Sequence, residues 1–307
     1  MDRGESTAED ERVRVLERLG PRPTTAEATV VVVTHDGVSE EEVGHTFEGL
    51  TRQTTPEFDV MVVSNGRSRD LRDLLADVGL CCEFIGLAEN YGANVARNIA
   101  ARRSSDELLI FLDHDAVPAE TFVGSHLRFH DEHDVVAARG RVVPKTPSVY
   151  NRLAMNYDLG EEPFPYLLDI EGNCSVDREA FLGVGGFREG LWGHEGIDLT
   201  RRFLEVTSRD RIRYTPDPVI RHDFAVTLGE LLEKKARHQR AREALEAEDP
   251  GFFDIYDRYS VPDDAVDRPF VTTAALYLGN KLSDRVGALL QGYFYGPADR
   301  RIGSSSP

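Results

Sequence analysis

Two aspartates and a histidine stand where an apolar run of the chain ends. Residues 108–112 are all large and apolar, and Asp113, His114 and Asp115 follow directly. A carboxylate at the mouth of a buried strand is costly without a counter-ion, and hard divalent cations prefer oxygen ligands. His222 follows a short strand-like segment and adds an imidazole, which suits manganese beside carboxylate. These residues predict a divalent-cation site with Asp113, Asp115 and His222 as ligands. The alternative is a solvated loop that caps the next helix.

A second pair of carboxylates lies further along the chain. Glu195 follows Trp192 in a loop with glycines on both sides, where a carboxylate can reach a bound hydroxyl as general base. The apolar wall of Trp192 would raise the pKa of Glu195 toward a useful range. Asp198 falls at the start of a helix expected over 199–206, a position that favours helix capping. The sequence predicts Glu195 as the base. The alternative is that Glu195 caps the helix and a substrate group or Asp198 carries the chemistry.

Strands and helices alternate in the segment 29–112. Continuous apolar and β-branched runs predict buried strands, and apolar residues at helical spacing lie between them. This alternation is typical of a doubly wound, mostly parallel α/β sheet, whose ligands bind beyond the carboxyl ends of the strands. The predicted strands cover 29–33, 58–63, 82–85 and 107–112, and the helices cover 40–52, 71–78 and 94–103.

Polar residues follow three of these predicted strands. Because the carboxyl ends of parallel strands meet at one edge of a sheet, we expect these residues to form one site rather than three. They are Thr34, His35 and Asp36 after the first strand, Ser64 and Asn65 after the second, and Asp113, His114 and Asp115 after the fourth.

The two ends of the chain are expected to be helical. Residues 8–19 place apolar side chains on one helical face, within a polar arm over 1–27. Near the other end, helices are expected over 228–247 and 272–293, followed by a flexible polar tail. The last helix carries an apolar stripe that we expect to pack on the domain or in a homodimer. The stripe consists of Leu278, Leu282, Val286, Leu289 and Tyr293.

Composition restricts the partners of the chain. The 307 residues include 54 Asp and Glu against 36 Lys and Arg, a formal net charge of −18. Such a surface disfavours non-specific binding to nucleic acid and to anionic lipid. There is no apolar run of about 18 residues, so no integral membrane segment is expected. The three cysteines lack metal-ligand spacing, and the acidic N-terminus lacks an apolar signal segment. Both observations predict a cytoplasmic protein.

Taken in order, several segments resemble those of the family 2 glycosyltransferases, which have the GT-A fold. Residues 29–36 are similar to the family's apolar strand ending in Pro-Thr-Tyr-Asn, and 111–115 match its Asp-x-Asp. Residues 90–98 are similar to its Asn-x-Gly and Ala-Arg-Asn segment. Residues 53–66 resemble its Gln-Thr and Val-Val-Asp-Asp-Gly stretch, and 185–202 resemble Gly-Gly-Phe followed by Glu-Asp-x-Asp-Leu and Arg.

This resemblance implies an inverting transferase that moves a sugar from a nucleoside-diphosphate donor, with a UDP-sugar as the expected donor, to an unknown acceptor hydroxyl. It also implies Mn²⁺ or Mg²⁺, held by Asp115 and His222 with Asp113. The residues that it implies for nucleotide-sugar binding are Thr34, His35, Asp36, Asn65, Arg97, Asp113 and His114.

Two departures from the family pattern bear on the chemistry. Asn65 stands where the family has an aspartate that contacts uracil, and an amide both donates and accepts, so the choice of base stays open. Gly196 stands where the family has its catalytic aspartate. Either Glu195 has taken over as base or catalysis is impaired.

The resemblance also implies a division of the chain. A nucleotide-sugar-binding half covers 28–116, an acceptor-binding and catalytic half covers 117–225, and a helical extension with its tail covers 226–307. Two other classes stay open. A non-catalytic nucleotide-sugar-binding relative is consistent with Gly196, whereas a GT-A-like nucleotidyltransferase would need a basic phosphate loop. Residues 34–39 contain no Lys or Arg, which argues against the second class.

Overall fold

The computed structural model describes residues 11–66, 71–262, 265–266 and 270–295. In that part of the chain a ten-stranded mixed sheet forms the centre of the molecule. Its strands are β1 (Val13–Leu19), β2 (Ala28–His35), β3 (Phe58–Asn65), β4 (Cys82–Leu87), β5 (Leu108–Asp113), β6 (Val117–Pro118), β7 (Ala137–Val143), β8 (Phe164–Pro165), β9 (Asn173–Asp177) and β10 (Ile212–Arg221). The strand order is β1-β4-β3-β2-β5-β9-β7-β10-β6, and β8 pairs with β10.

Strands β4, β3, β2 and β5 run parallel at the centre, as the sequence predicts. Strands β1 and β9 join them antiparallel on either side. Helices of the described chain are α1 (Glu40–Thr51), α2 (Arg72–Val78), α3 (Ala93–Arg103), α4 (Phe122–Glu132), α5 (Arg178–Gly183), α6 (Glu195–Phe203), α7 (Leu228–Glu248) and α8 (Phe270–Tyr295).

Helices cover both faces of the central sheet. Val30 and Val32 of β2 point into a core shared with α1, α2 and α4. Val31, between them, points into the opposite core, shared with α3, α5 and α6. Successive side chains of a strand face opposite ways, so only a strand covered on both sides consists of apolar residues without interruption. The expected doubly wound α/β architecture with a helical C-terminal extension is confirmed.

The prediction of a helix over residues 8–19 is wrong for residues 13–19, whereas residues 11 and 12 are helical. Residues 13–19 form the edge strand β1, in which Leu16 pairs with Ile85 of β4. The apolar side chains here fit a helical face and also alternate partly in the manner of a strand. The segment forms a strand rather than a helix because it pairs with the open edge of β4. This pairing gives hydrogen-bond partners to a row of backbone N–H and C=O groups. Arg18 fixes the strand further through two 2.7 Å hydrogen bonds to Asp59. Residues 8–10 lie outside the described residues.

Other boundaries also differ from the expectation. Residues 137–143 form the single strand β7, and residues 212–221 form β10, whose pairing with β7 shifts register between Tyr214 and Val219. Helix α6 begins at Glu195 rather than at 199. Glu195 therefore belongs to the first turn of a helix and not to a free loop.

The C-terminal helices α7 and α8 pack on each other at Gly287, where an added Cβ would lie 2.7 Å from Cβ of Lys235. The apolar stripe of α8 faces away from this contact. Leu278, Leu282 and Leu289 are 66%, 64% and 84% exposed. The expectation that the stripe packs on the domain is therefore wrong, and the homodimer stays a prediction. None of the described helices is long and apolar enough to span a membrane.

Candidate active site

The carboxyl ends of the central strands bring the predicted polar residues to one edge of the sheet. Asp113, the last residue of β5, pairs in register with Val33 of β2. His35, the last residue of β2, pairs with Asn65 of β3. In-register parallel strands end together, so the three polar segments adjoin one another, as the single-site prediction requires.

Asp113, Asp115 and His222 form a cluster at this edge, here called the cation cluster. One potential ligand atom from each lies within 4.8 Å of the others. The Nε2 atom of His222 is 3.3 Å from Oδ2 of Asp115. Burial opposes the charge on Asp115, but the hydrogen bond and charge of His222 outweigh it and hold the pKa of that carboxyl well below its usual range. Two carboxylates and an imidazole at this spacing fit Mn²⁺ or Mg²⁺.

Tyr157 is a candidate functional residue that the sequence does not reveal. Its hydroxyl lies 3.1 Å from Nδ1 of His222. Burial raises the pKa of the Tyr157 phenol above its ordinary value, so the group stays protonated at neutral pH. The phenol oxygen can accept the N–H of Nδ1, so that when His222 loses its Nε2 proton the remaining neutral tautomer can present the Nε2 lone pair to a cation. Tyr157 lies in an irregular segment far from His222 in sequence, and no motif marks it.

Three basic side chains surround the cation cluster. Arg97 of α3 donates to Oδ1 of Asp113 at 3.1 Å, and Nζ of Lys145 donates to the carbonyl oxygen of Asp115 at 2.9 Å. Burial lowers the pKa of Lys234, on α7, and the charges of Asp115 and Asp113 oppose that shift. Positive groups beside such a cluster can bind diphosphate oxygens. The sequence predicts Arg97 for this role but not the two lysines, which lie outside every motif.

The loops after β2 and β5 hold their own polar residues in place. The rings of His35 and His114 meet edge to face, with centroids 5.2 Å apart. Nδ1 of His114 lies 3.0 Å from the carbonyl oxygen of Val33, while the side chain of Thr34 is buried. Asp36 lies against Gly66, whose added Cβ would be 2.6 Å from Oδ1 of that carboxylate. The histidines and Asp36 thus line the edge, and Thr34 supports it from inside.

Asn65 holds the loop that precedes α3. Its Nδ2 donates to Oδ1 of Asn90 at 2.9 Å, and its Oδ1 accepts the N–H of Tyr91 at 2.9 Å. The side chain is 2% exposed. Both ends of the amide are therefore engaged in the protein, which fixes the Asn90 turn at the edge of the site.

The N-terminus of α6 carries Glu195 and is anchored by the C-terminal extension. The residue before it, His194, has a φ of 65°, a left-handed conformation that is uncommon outside glycine. Its ring packs on Phe253 with centroids 5.0 Å apart, and its Nε2 lies 3.1 Å from the carbonyl oxygen of His238 on α7. The surrounding structure therefore fixes the turn that presents Glu195.

Asp198 does not share this position. Its Oδ2 accepts from Nε and Nη2 of Arg202, at 3.0 and 2.7 Å, one turn along α6. Arg202 also donates to the carbonyl oxygens of Val184 and Gly186 at 2.7 and 2.6 Å. Asp198 thus anchors α6 to the loop after α5, and its carboxylate is engaged within the protein.

Glu171 is the second carboxylate at the start of α6, and no motif in the sequence marks it. Its Oε1 accepts the N–H of Gly196 at 2.6 Å. Burial and the charge of neighbouring Glu195 raise the pKa of Glu171 to about 7. The residue precedes β9 and lies 25 positions before Gly196, so only the fold brings the two together.

Comparison with known proteins agrees with this geometry. The family model described as Glycosyl transferase family 2 matches residues 29–188. A pre-mycofactocin glycosyltransferase of Mycobacterium tuberculosis is 27% identical over 193 residues, which cover 55% of this chain and 41% of that protein. The uncharacterized glycosyltransferase YfnE of Bacillus subtilis is 25% identical over 197 residues, covering 62% and 48%. The chain thus spans less than half the length of these curated relatives.

A solved structure shares the fold. The mannosyltransferase PcManGT from Pyrobaculum calidifontis, in complex with GDP-Man and Mn²⁺, superposes with a TM-score of 0.57. The alignment is 18% identical and covers 92% of this chain and 79% of that chain. The matching family model extends over half of the chain, from β2 to the loop after α5. The chain therefore belongs to glycosyl transferase family 2 and has the GT-A fold.

Proposed function

We propose that this chain is a glycosyltransferase that moves a sugar from a nucleoside-diphosphate donor to an acceptor hydroxyl, with a divalent cation and with inversion at the anomeric carbon. The observation that carries the proposal is the cation cluster at the carboxyl edge of the parallel strands. A UDP-sugar is the donor expected from the resemblance. The mannosyltransferase that shares the fold was solved with GDP-Man, so both donor classes enter the test.

The donor is held mainly by the half that covers residues 28–116, and His222 and Lys145 reach it from the half that covers residues 117–225. Asp113, Asp115 and His222 would hold the cation, which when bound neutralises negative charge on the departing diphosphate. Arg97 and Lys145 lie beside the same carboxylates and orient the diphosphate through charge-assisted hydrogen bonds. His35, Asp36 and His114 would line the nucleotide side of the site, and the buried side chains of Thr34 and Asn65 would support it from behind.

The acceptor is bound in the half that covers residues 117–225, and its proton passes to a carboxylate at the start of α6. Glu195 and Glu171 are the two carboxylates there. Lys234 and His238 come from the extension over 226–307, which thereby supports the cation cluster and the turn before α6. Removal of the base in such a reaction costs about 10²–10⁴ in turnover.

Hydrolysis of UDP-glucose and GDP-mannose, with Mn²⁺ and with a chelator, tests the proposal. We expect Mn²⁺-dependent release of the nucleoside diphosphate and a free sugar whose first-formed anomer, followed by NMR, is inverted. Binding of the donor without any release in the presence of acceptor extracts would instead indicate a non-catalytic relative. Formation of a sugar 1-phosphate and a nucleoside triphosphate from donor and pyrophosphate would indicate a nucleotidyltransferase.

A further inference from the structure

The backbone of Gly196 leaves no room for a side chain, and Glu171 fills the adjacent space. An added Cβ at Gly196 would lie 2.1 Å from the carbonyl oxygen of Leu168 and 3.0 Å from Oε1 of Glu171. The segment 168–171 is therefore packed directly against this residue. Next to the Gly196 backbone the carboxylate is that of Glu171, whose Oε1 accepts the Gly196 N–H.

Glu171 also adjoins the donor half of the site. The next residue, Gly172, lies so close to Asp113 that an added Cβ would be 1.9 Å from its Oδ2. Asp113 is in turn paired with Arg97, whose charge acts on Glu171. Glu171 is only partly covered, in contrast to Gly172 and Asn173 after it, which are buried. Glu171 thus lies between the cation cluster and the start of α6 as a partly exposed residue.

The environment of Glu171 suits a proton acceptor at neutral pH. Burial and the charge of Glu195 raise its pKa to about 7, while the Gly196 N–H and Arg97 limit the rise. A general base is most effective when its pKa lies near the working pH, because it is then both ionised and able to hold the proton. The charge of Glu195 thus helps to raise the pKa of Glu171. Glu195 itself need not receive the proton.

We infer that Glu171 is the catalytic base of this chain and that Glu195 is a positioning residue that acts through it; the inference rests on the proposed function. The acceptor oxygen forms a bond to the anomeric carbon, and the bond from that carbon to the diphosphate oxygen breaks. The electron pair of the broken bond leaves with the diphosphate, and the acceptor's proton moves to the Glu171 carboxylate.

The test uses the full chain with Mn²⁺ and follows hydrolysis of UDP-glucose and GDP-mannose as a function of pH. Glu171→Gln keeps an acceptor for the Gly196 N–H but cannot take a proton. We expect a loss of turnover of about 100-fold or more, with the donor Kd changed by less than about threefold. The rise of turnover through pH about 7, present in the wild type, should disappear. Glu171→Asp should recover part of the turnover.

Two further variants separate the roles. Glu195→Gln should keep most of the turnover and move the midpoint of the rise to lower pH, because a negative charge beside Glu171 is lost. Glu179→Gln, on the exposed face of α5, is the matched control and should match the wild type. An inactive Glu195→Gln together with an unchanged pH profile in Glu171→Gln would overturn the inference and make Glu195 the base.

The remaining outcomes are also decisive. If Glu171→Gln loses donor affinity and thermal stability along with turnover, its role is structural and the inference is wrong. If the wild type neither binds nor hydrolyses either donor, the proposed function fails and takes the inference with it. If the wild type does both and Glu171→Gln is indistinguishable from it, only the assignment of the base fails.

Discussion

The hydroxyl of Tyr157 decides which ring nitrogen of His222 can face the cation cluster. It lies 3.1 Å from Nδ1, so Nε2 is the atom left for a cation. We expect Tyr157→Phe to lower Mn²⁺ affinity by about tenfold or more, the usual effect of losing a group that orients a ligand. Calorimetric titration with Mn²⁺ measures it. Tyr277→Phe, an exposed tyrosine on α8, is the control, and equal affinities in both variants would contradict the role of Tyr157.

Glu171 makes stability depend on pH in a defined window. Its folded pKa of about 7 lies above the model-peptide value of 4.5. Between these values the folded chain binds more protons than the unfolded chain, so stability falls as pH rises from about 4.5 to about 7 and stays lowered above. We expect Glu171→Gln to raise Tm at pH 8 but not at pH 4.5. Thermal melts at both pH values measure Tm for this variant and for the control Glu179→Gln. A Glu171→Gln variant with a lower Tm than the wild type at pH 8 would contradict this prediction.

At the scale of elements, the residue that precedes β9 sets the position of a cation ligand. Gly172 has no Cβ, and an added one would lie 1.9 Å from Oδ2 of Asp113. Gly172→Ala should therefore displace Asp113, reduce Mn²⁺ affinity and cost about 1–3 kcal/mol of unfolding free energy. Gly183→Ala is the matched control, since no atom lies within 4 Å of its added Cβ. Denaturant unfolding measures the stability of the two variants, and titration with Mn²⁺ measures their cation affinity. Equal stability and equal affinity in Gly172→Ala and Gly183→Ala would contradict the close contact between Gly172 and Asp113.

The elements that could be predicted from sequence are those whose pattern has one physical interpretation. The apolar runs of β2 and β5 fit only strands covered on both faces, and the polar residues after them predict the position of the site. Edge strand β1 was missed because its apolar spacing also fits a helix, and only the free edge of β4 decides. Tyr157, Glu171 and Lys234 were missed because they reach the site through long-range packing, which no local pattern records.

At the scale of the whole molecule, the stripe of α8 is an apolar surface that the rest of the described chain leaves exposed. Leu289 and Tyr293 are 84% and 82% exposed, and the formal charge of −18 disfavours anionic lipid as their partner. We expect a concentration-dependent homodimer through this face. Sedimentation velocity should show it in the wild type, and Leu282→Glu with Leu289→Glu should abolish it. Val206→Glu, at another exposed apolar residue, is the control. A wild type that stays monomeric at the highest concentration tested would contradict the prediction.

Sequence segments far apart in the chain complete one site. The cation cluster takes two carboxylates from the end of β5 and an imidazole from the end of β10, and α7 adds Lys234 beside them. The central claim is that this cluster binds a cation that the nucleotide-sugar donor needs.

Calorimetric titration of UDP-glucose and GDP-mannose into wild type and Asp115→Asn, with Mn²⁺ and with a chelator, tests that claim most directly. Asp217→Asn, on the exposed part of β10, is the control. We expect at least one donor to bind the wild type only with Mn²⁺, and Asp115→Asn to weaken that binding by about tenfold or more because a charged ligand is lost. Donor affinity that is the same in Asp115→Asn and wild type, or that is unaffected by the chelator, would contradict the account.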